Sequence, residues 1–160
     1  MSDHEDRIVR YLDDCWAVEK TMAGQWSRMA SEVGCDDLRV MFHERCDTKL
    51  KQAHRIEERL RELGGKPSRA ESFFEQVAAT IADLLRIPPV EDDRSTQYLM
   101  RGFAMQNFEM AMFESLRAFA EFTGDDKTVK MAEGLLKNEK YGAGQVWSQI
   151  SRNAREHMAV

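Results

Sequence analysis

Three glutamates occupy positions that would otherwise be apolar in three long helical patterns of this chain. In each pattern, residues that suit a core recur at alternating steps of four and three, which is the inward-facing stripe of a bundle helix. Glu19, Glu109 and Glu139 each lie in the middle of one stripe. The stripes are Ile8, Leu12, Cys15, Glu19, Met22, Trp26, Met29 and Val33; Tyr98, Gly102, Met105, Glu109, Met112, Leu116 and Phe119; and Val129, Ala132, Leu136, Glu139, Ala143, Val146 and Ile150.

The position of these carboxylates limits what they can do. An unpaired carboxylate in a protein core costs several kcal/mol, so converging carboxylates must share protons, cations or a metal ion. Bundles that direct one glutamate per helix inward include the di-iron carboxylate proteins. We therefore expect Glu19, Glu109 and Glu139 to approach one another near mid-bundle. A cation or hydrogen-bond donor should stand between them, and Arg45 is the first candidate.

The rest of the sequence predicts the helices that would carry this site. Prolines occur only at positions 67, 88 and 89, between the periodic segments, which favours an all-α fold. Glycines and N-cap residues between the patterns mark the ends of five helices. We predict helices from about Asp3 to Val33, from Asp36 or Asp37 to Leu63, from Ser68 to near Ile87, from about Ser95 to Thr123, and from Asp125 or Asp126 to about Arg152, with the last residues frayed.

Four long helices with a short third one predict a specific architecture. The short helix and its proline connector would carry the chain between two helix pairs, as in ferritin-like bundles with one long crossover. We predict a single all-α domain over residues 1–160, a ferritin-like four-helix bundle with one additional short helix at the crossover.

Composition excludes several classes of function. A hydrophobic fraction of 42% with 32% charged residues is typical of a globular protein. The net charge of −5 argues against a general nucleic-acid binder. No apolar run reaches the roughly 18 residues of a membrane span, and the charged N-terminus does not resemble a signal peptide. We expect a cytoplasmic protein without membrane or nucleic-acid partners.

Four segments carry a resemblance to the YciF-like proteins, a bacterial ferritin-like family linked to stress. They are WAVEKTMAGQWSRMA; LRVMF with RIEERLRELGGKPS; AMQNFEMAMFESLRAFAEFTG; and AEGLLKNEK. The resemblance implies the ferritin-like fold and matches Glu19, Glu109 and Glu139 to the family's inward glutamates.

The chain departs from the family's pattern at most of the remaining ligand positions. The departures are Arg45 and Thr48 in place of a His and a Glu, Gln106 and Asn107 in place of Glu-His, and Ala143 in place of an acidic residue. These replacements remove both histidines and part of the carboxylate set of a di-iron centre.

Two interpretations of the site remain open. In the first, the metal centre is degenerate, no metal or other cofactor is bound, and the protein is a stress-associated structural or interaction protein without catalytic residues. In the second, Glu19, Gln106, Glu109 and Glu139 bind iron, manganese or zinc for oxidase or storage chemistry. His43, Asp47 and His54 share a helix face, which we interpret as solvated. Cys15, Cys35 and Cys46 have no CxxC spacing, and we expect reduced, buried thiols.

The helix that begins near Ser95 is apolar on more faces than one core requires. Phe103, Phe108, Met110 and Phe113 lie on different sides of it. This predicts a homodimer that buries some of these side chains in an interface above roughly 1,000 Å².

Overall fold

The computed structural model describes residues 3–68, 76, 79 and 94–158, and these contain four long α-helices. Helix α1 spans Asp3–Glu32, α2 spans Asp36–Glu62, α3 spans Arg94–Thr123 and α4 spans Asp126–Met158. The described residues include no strand. The short helix predicted between Ser68 and Ile87, and the proline connector after it, fall outside the described residues apart from Gln76 and Ala79. No described helix combines the length and apolar character of a transmembrane span.

The predicted ends of α1, α2 and α3 agree with the structure to within one residue, whereas the predicted end of α4 was wrong. The chain was expected to fray after Arg152, but α4 continues to Met158. The hydroxyl of Thr96 donates a hydrogen bond of 3.1 Å to the side-chain oxygen of Asn153, and both residues are buried. The first of the added turns is therefore packed against the start of α3.

Two helices end at glycines because the backbone there adopts a positive φ. Gly64 follows α2 with φ of 76° and Gly124 follows α3 with φ of 73°, a region that favours glycine. After Gly124, Asp125 begins α4 as an N-cap, since its carboxylate accepts the backbone N–H of Thr128 at 3.1 Å. The connection between α3 and α4 is thus only two residues long.

Contacts between the helices define the topology. The pairs α1/α2 and α3/α4 form antiparallel hairpins. Tyr98, near the start of α3, hydrogen-bonds to Glu32 at the end of α1, while Arg59, near the end of α2, pairs with Asp125 at the start of α4. The end of α2 and the start of α3 therefore lie at opposite ends of the bundle. The connection between them is a crossover, as the sequence predicted.

The core has two apolar regions separated by a polar layer. One region contains Val18, Met22, Trp26, Met29, Phe42, Leu99, Met105 and Val146. The other contains Ile8, Leu12, Cys15, Ile56, Leu60, Phe113, Leu116, Leu135 and Leu136. The polar layer between them contains Glu19, Arg45, Lys49, Gln106, Glu109 and Glu139, all buried. The polar layer is therefore closed above and below by close-packed side chains.

Gly102 is required by packing rather than by backbone conformation. A Cβ at this position would overlap the six-membered ring of Trp26, which is fully buried.

We predict that Gly102→Ala lowers the free energy of unfolding by about 1–3 kcal/mol through overpacking, measured by urea denaturation. Gly144→Ala is the matched control, because no atom of the other described residues lies within 4 Å of its added Cβ. That control should gain about 0.5–1 kcal/mol from helix propensity. Equal effects of the two substitutions would contradict the packing argument.

Candidate functional site

The three predicted glutamates converge in the polar layer. Glu19 on α1, Glu109 on α3 and Glu139 on α4 are at most 1% exposed. One carboxylate oxygen from each lies within 4.8 Å of the corresponding oxygens of the other two. The predicted convergence is confirmed. Among the described residues, these three form a group that could hold a metal ion.

The cation among these carboxylates is Lys49, which α2 contributes and which is 1% exposed. Its Nζ lies 2.8 Å from Oε2 of Glu109 and 4.0 Å from Oε1 of Glu19, and it donates a hydrogen bond to Oε1 of Glu139. Each of the four helices thus contributes one charged group to a single buried cluster, which we call the ion cluster.

Arg45 was the wrong candidate for the central donor. It lies one turn before Lys49, and within the described chain no ion pair joins it to the three glutamates. Its guanidinium instead lies over Gly142, beside the side-chain amide of Gln106, and a Cβ on Gly142 would overlap both groups. The absence of a side chain at Gly142 therefore gives Arg45 its space in the polar layer.

Gln106, the predicted amide ligand, is fully buried one turn before Glu109. Both of its amide atoms lack a hydrogen-bond partner among the described groups. It lies in the polar layer, and its amide nitrogen, like the guanidinium of Arg45, lies close to Gly142. The role of Gln106 as a ligand stays a prediction.

Burial controls the protonation of the ion cluster. It raises the pKa of Glu19 from an ordinary value of 4.5 to about 7, with Lys49 opposing and Glu139 adding to the shift. Burial also raises the pKa of Glu109 well above its usual value. It would lower the pKa of Lys49, but Glu109, Glu19 and Glu139 outweigh it and raise that pKa above 10.5. The cluster therefore combines a charged ammonium with two carboxyl groups, Glu19 and Glu109, that hold their protons to higher pH than an ordinary glutamate does.

The donor set of this site does not fit a two-metal centre. Di-iron bundles use about four carboxylates and two histidines. Here three carboxylates remain, while His43 and His54 are exposed on α2, where His54 contacts Glu58. The ammonium of Lys49 lies within the carboxylate group. A single hard cation would find oxygen ligands only if Lys49 withdrew.

Neither the cysteines nor the polar face of α2 with His43 and Asp47 is part of the ion cluster. The described chain has three free cysteines, of which Cys15 is buried, Cys46 is half-buried and Cys35 is exposed, contrary to the expectation for Cys35. Burial, and then the charge of Glu19, raises the pKa of the Cys15 thiol, so it stays protonated. The face of His43 and Asp47 is exposed, as predicted.

Lys49 was missed although the sequence contains a signal for it. The buried stripe of α2 has the same spacing as the other three helices. It consists of Leu38, Phe42, Arg45, Lys49, Gln52, Ile56 and Leu60. Counting inward positions on α2 would have placed Lys49 in the middle of the stripe. The signal was weak because a lysine on a helix is usually at the surface.

Comparisons with known proteins support the fold. A family model described as a domain of unknown function, DUF892, matches residues 3–159. A protein from Xanthomonas campestris is similar in structure, with 19% identity, coverage of 98% of this chain and 97% of that chain, and a TM-score of 0.82. The stress protein YciF of Escherichia coli has 20% identity, coverage of 97% and 99%, and a TM-score of 0.81.

A third similar structure is a dodecameric thioferritin, a bacterioferritin-related protein from Bacteroides fragilis. It has 18% identity, coverage of 97% of this chain and 90% of that chain, and a TM-score of 0.79. No curated protein matches the chain significantly in sequence. At these identities the structures establish the fold alone, and the fold is ferritin-like, as the sequence predicted.

The raised pKa of Glu19 predicts a pH dependence of stability. The folded protein binds this proton more tightly than the unfolded chain, so the contribution of Glu19 is fully present below about pH 4.5 and is lost as the pH rises to about 7. Glu19→Gln mimics the protonated form. We expect it to be more stable than the wild type by less than ~1 kcal/mol at pH 5 and by on the order of 3 kcal/mol at pH 8, measured by urea denaturation.

The matched control is Glu62→Gln. Arg59 and Lys127 lower the pKa of the exposed Glu62, so its titration lies below pH 4.5. Its difference in stability from the wild type should stay constant between pH 5 and 8. If the difference between Glu19→Gln and the wild type were equally constant, Glu19 would not be the titrating group.

Proposed function

Because this chain belongs to the DUF892 family, whose description leaves the function undefined, we propose a function from the ion cluster itself. The protein is a ferritin-like structural or interaction protein in which the ammonium of Lys49 takes the place of a metal ion. The observation that carries this proposal is the position of Nζ, in contact with Glu109 and Glu139 and 4.0 Å from Glu19.

The chemistry of the cluster supports a structural role. A charged ammonium ion neutralises part of the carboxylate charge without a redox-active centre, and the apolar regions on both sides exclude water. The cation is covalently part of α2, so it requires no loading and cannot be lost to a chelator. Replacement of the ligand positions by Arg45, Gln106 and Ala143 agrees with this loss of metal chemistry.

We extend the stress association to this protein from its similarity to the Escherichia coli protein described as a stress protein. A cytoplasmic location belongs to the same proposal. In this role the bundle would act through its surface, by binding a partner or a second copy of itself, rather than by turning over a substrate.

The alternative is a functional metal protein that uses Glu19, Gln106, Glu109 and Glu139. The proximity of the three carboxylate oxygens, within 4.8 Å of one another, favours it. Iron, manganese and zinc are the candidate ions. This function requires the Lys49 ammonium to leave the carboxylates, and the two proposals therefore differ in their response to metal and to substitution of Lys49.

Thermal melts with and without a chelator, and with added iron, manganese or zinc, distinguish the two functions. We expect the midpoint of the wild type to be indifferent to all of them. Lys49→Met leaves three buried carboxylates without a cation and should cost about 3–5 kcal/mol, part of which added metal should restore. Lys20→Met, on the exposed side of α1, is the control and should melt like the wild type.

Glu19→Leu provides a second criterion. Of the three carboxylates in contact with Lys49, that of Glu19 is the farthest from Nζ. Replacing it with leucine removes an ionisable group from the core. The variant should melt no lower than the wild type. A wild-type midpoint that falls on chelation, together with an already low and insensitive Glu19→Leu variant, would replace the structural function with the metal one.

The homodimer remains part of the proposal, with a revised interface. Phe113 is fully buried within the protomer, and Phe103 packs against Trp147 with ring centroids 5.1 Å apart. Among the aromatic residues that predicted the dimer, only Phe108 is largely available, at 50% exposure. It belongs to an uncharged outer stripe of α3 that consists of Ala104, Phe108, Ala111, Ser115, Ala118 and Phe122, all exposed.

This outer stripe is complementary to itself. Its residues recur at alternating steps of four and three, the spacing of a helix-pairing seam. In an antiparallel pair of α3 helices with the twofold axis level with Phe113, Phe108 faces Ala118 of the partner subunit and Phe122 faces the partner's Ala104. Ala111 and Ser115 lie nearest to the axis, where small side chains allow close approach. Each phenylalanine of the stripe therefore faces an alanine of the partner subunit.

We expect the wild type to be a dimer at micromolar concentration by light scattering, with a total interface above roughly 1,000 Å². Ala111→Arg places two cations near the axis and should give the monomer mass of 18.5 kDa without unfolding, since Ala111 is exposed in the protomer. Val40→Arg, at a residue 59% exposed on α2, is the control and should remain dimeric. A monomeric wild type, or a dimeric Ala111→Arg variant, would contradict this interface.

A further inference from the structure

A groove of about 330 Å³ lies between α2 and α4, and its charged lining is basic. Arg45, Lys51 and Arg55 line it, and no carboxylate of the described residues does. The whole chain carries a net charge of −5. Three cations at one concave site on an acidic protein create a local positive potential that attracts anions.

The cations of the groove lie outside the ion pairs that the described residues form. Within the described part of the chain, none of Arg45, Lys51 and Arg55 forms an ion pair. Arg59, one turn farther along α2, shows the usual alternative, because it pairs with Asp125 at 2.7 Å and with Glu62 at 2.7 Å. Carboxylates therefore neutralise Arg59, beside the groove, whereas the cations that line the groove can bind an anion.

Buried polar groups extend the groove inward. Gln52 lines it, is 1% exposed, and has no hydrogen-bond partner for either amide atom among the described groups. Arg45 is 8% exposed, and its Nε likewise has no partner. An unsatisfied buried polar group destabilises the folded state, so two of them facing one cavity require an explanation. A bound anion would accept hydrogen bonds from both.

The α4 wall of the groove supplies further donors. Gly134 lies beside Arg55, whose guanidinium nitrogens would be in ordinary contact, at 3.6 Å, with a Cβ added there. The hydroxyl of Tyr141 accepts a hydrogen bond from Gln145 at 3.1 Å, which leaves its proton free to donate. Asn138 lines the same wall. The groove therefore presents N–H and O–H donors from two helices.

We propose that this groove is a binding site for a small phosphate-bearing anion. Arg45 and Arg55 offer planar donor forks that match phosphate oxygens, and Lys51 adds a point charge. The amide of Gln52 donates from the floor. A phosphate carries about −1.5 to −2 charge at pH 7, which suits three cations better than a carboxylate does. The volume lies at the lower end of the ~300–1,000 Å³ of ligand sites, which favours a small ligand over a dinucleotide.

The test is a ligand-detected ³¹P NMR titration of inorganic phosphate with the full chain, with acetate as competitor. We expect saturable binding that weakens with added sodium chloride, as screening requires. The double variant Lys51→Gln/Arg55→Gln, altered at two exposed positions, should bind at least tenfold more weakly. The control Lys20→Gln/Lys130→Gln removes the same charge from exposed positions outside the groove and should bind within twofold of the wild type.

Gln52→Leu separates binding from folding. The substitution removes a buried amide without a described partner, so the thermal midpoint should not fall, whereas phosphate affinity should drop several-fold. Absence of saturable binding to the wild type, or equal affinities of the wild type and the groove double variant, would overturn the site. Acetate that competes as strongly as phosphate itself would overturn the assignment to phosphate.

Discussion

The buried attraction between one ammonium ion and three carboxylates constrains the rest of the structure. Lys49 is 1% exposed and Glu19, Glu109 and Glu139 are no more exposed than it is, so solvent screens their interactions very little. Removing Lys49 would leave three buried carboxylates without their cation, which costs more than the net stability that the intact group provides. Because each helix supplies one member, the four helices are held at a single relative register.

The ion cluster specifies this register more sharply than the apolar core does. Apolar side chains tolerate shifts of a helix as long as volume is conserved. A shift of α2 by one turn would instead place Lys49 among the apolar residues of either core region and leave the carboxylates without their cation. Two glycines act in the same direction. Position 102 has room only for a glycine beside the ring of Trp26, and position 142 has room only for a glycine beside the guanidinium of Arg45.

Helix α2 divides its cations between two environments. Lys49 points into the carboxylates, whereas Arg45, one turn away, reaches both the polar layer and the groove between α2 and α4. Lys51 and Arg55 lie on the solvent side of the same groove. Acidic groups thus outnumber basic ones in the ion cluster, whereas the charged residues that line the groove are basic. The ferritin-like fold places these two opposite environments on neighbouring faces of one helix.

The sequence by itself determined the all-α class, the four long helices, the crossover and the convergence of Glu19, Glu109 and Glu139. These features depend on local periodicity and on caps such as Gly64, Gly124 and Asp125, which short-range sequence encodes. Only the tertiary structure decided which cation meets the carboxylates. Arg45 and Lys49 share the inward stripe of α2, and the choice between them depends on the register of α2 against α4, where Gly142 receives Arg45 and Glu139 receives Lys49. That register is a property of contacts far apart in the chain. For the same reason the sequence did not reveal that α4 continues to Met158, since the partner of Asn153 is Thr96 on another helix.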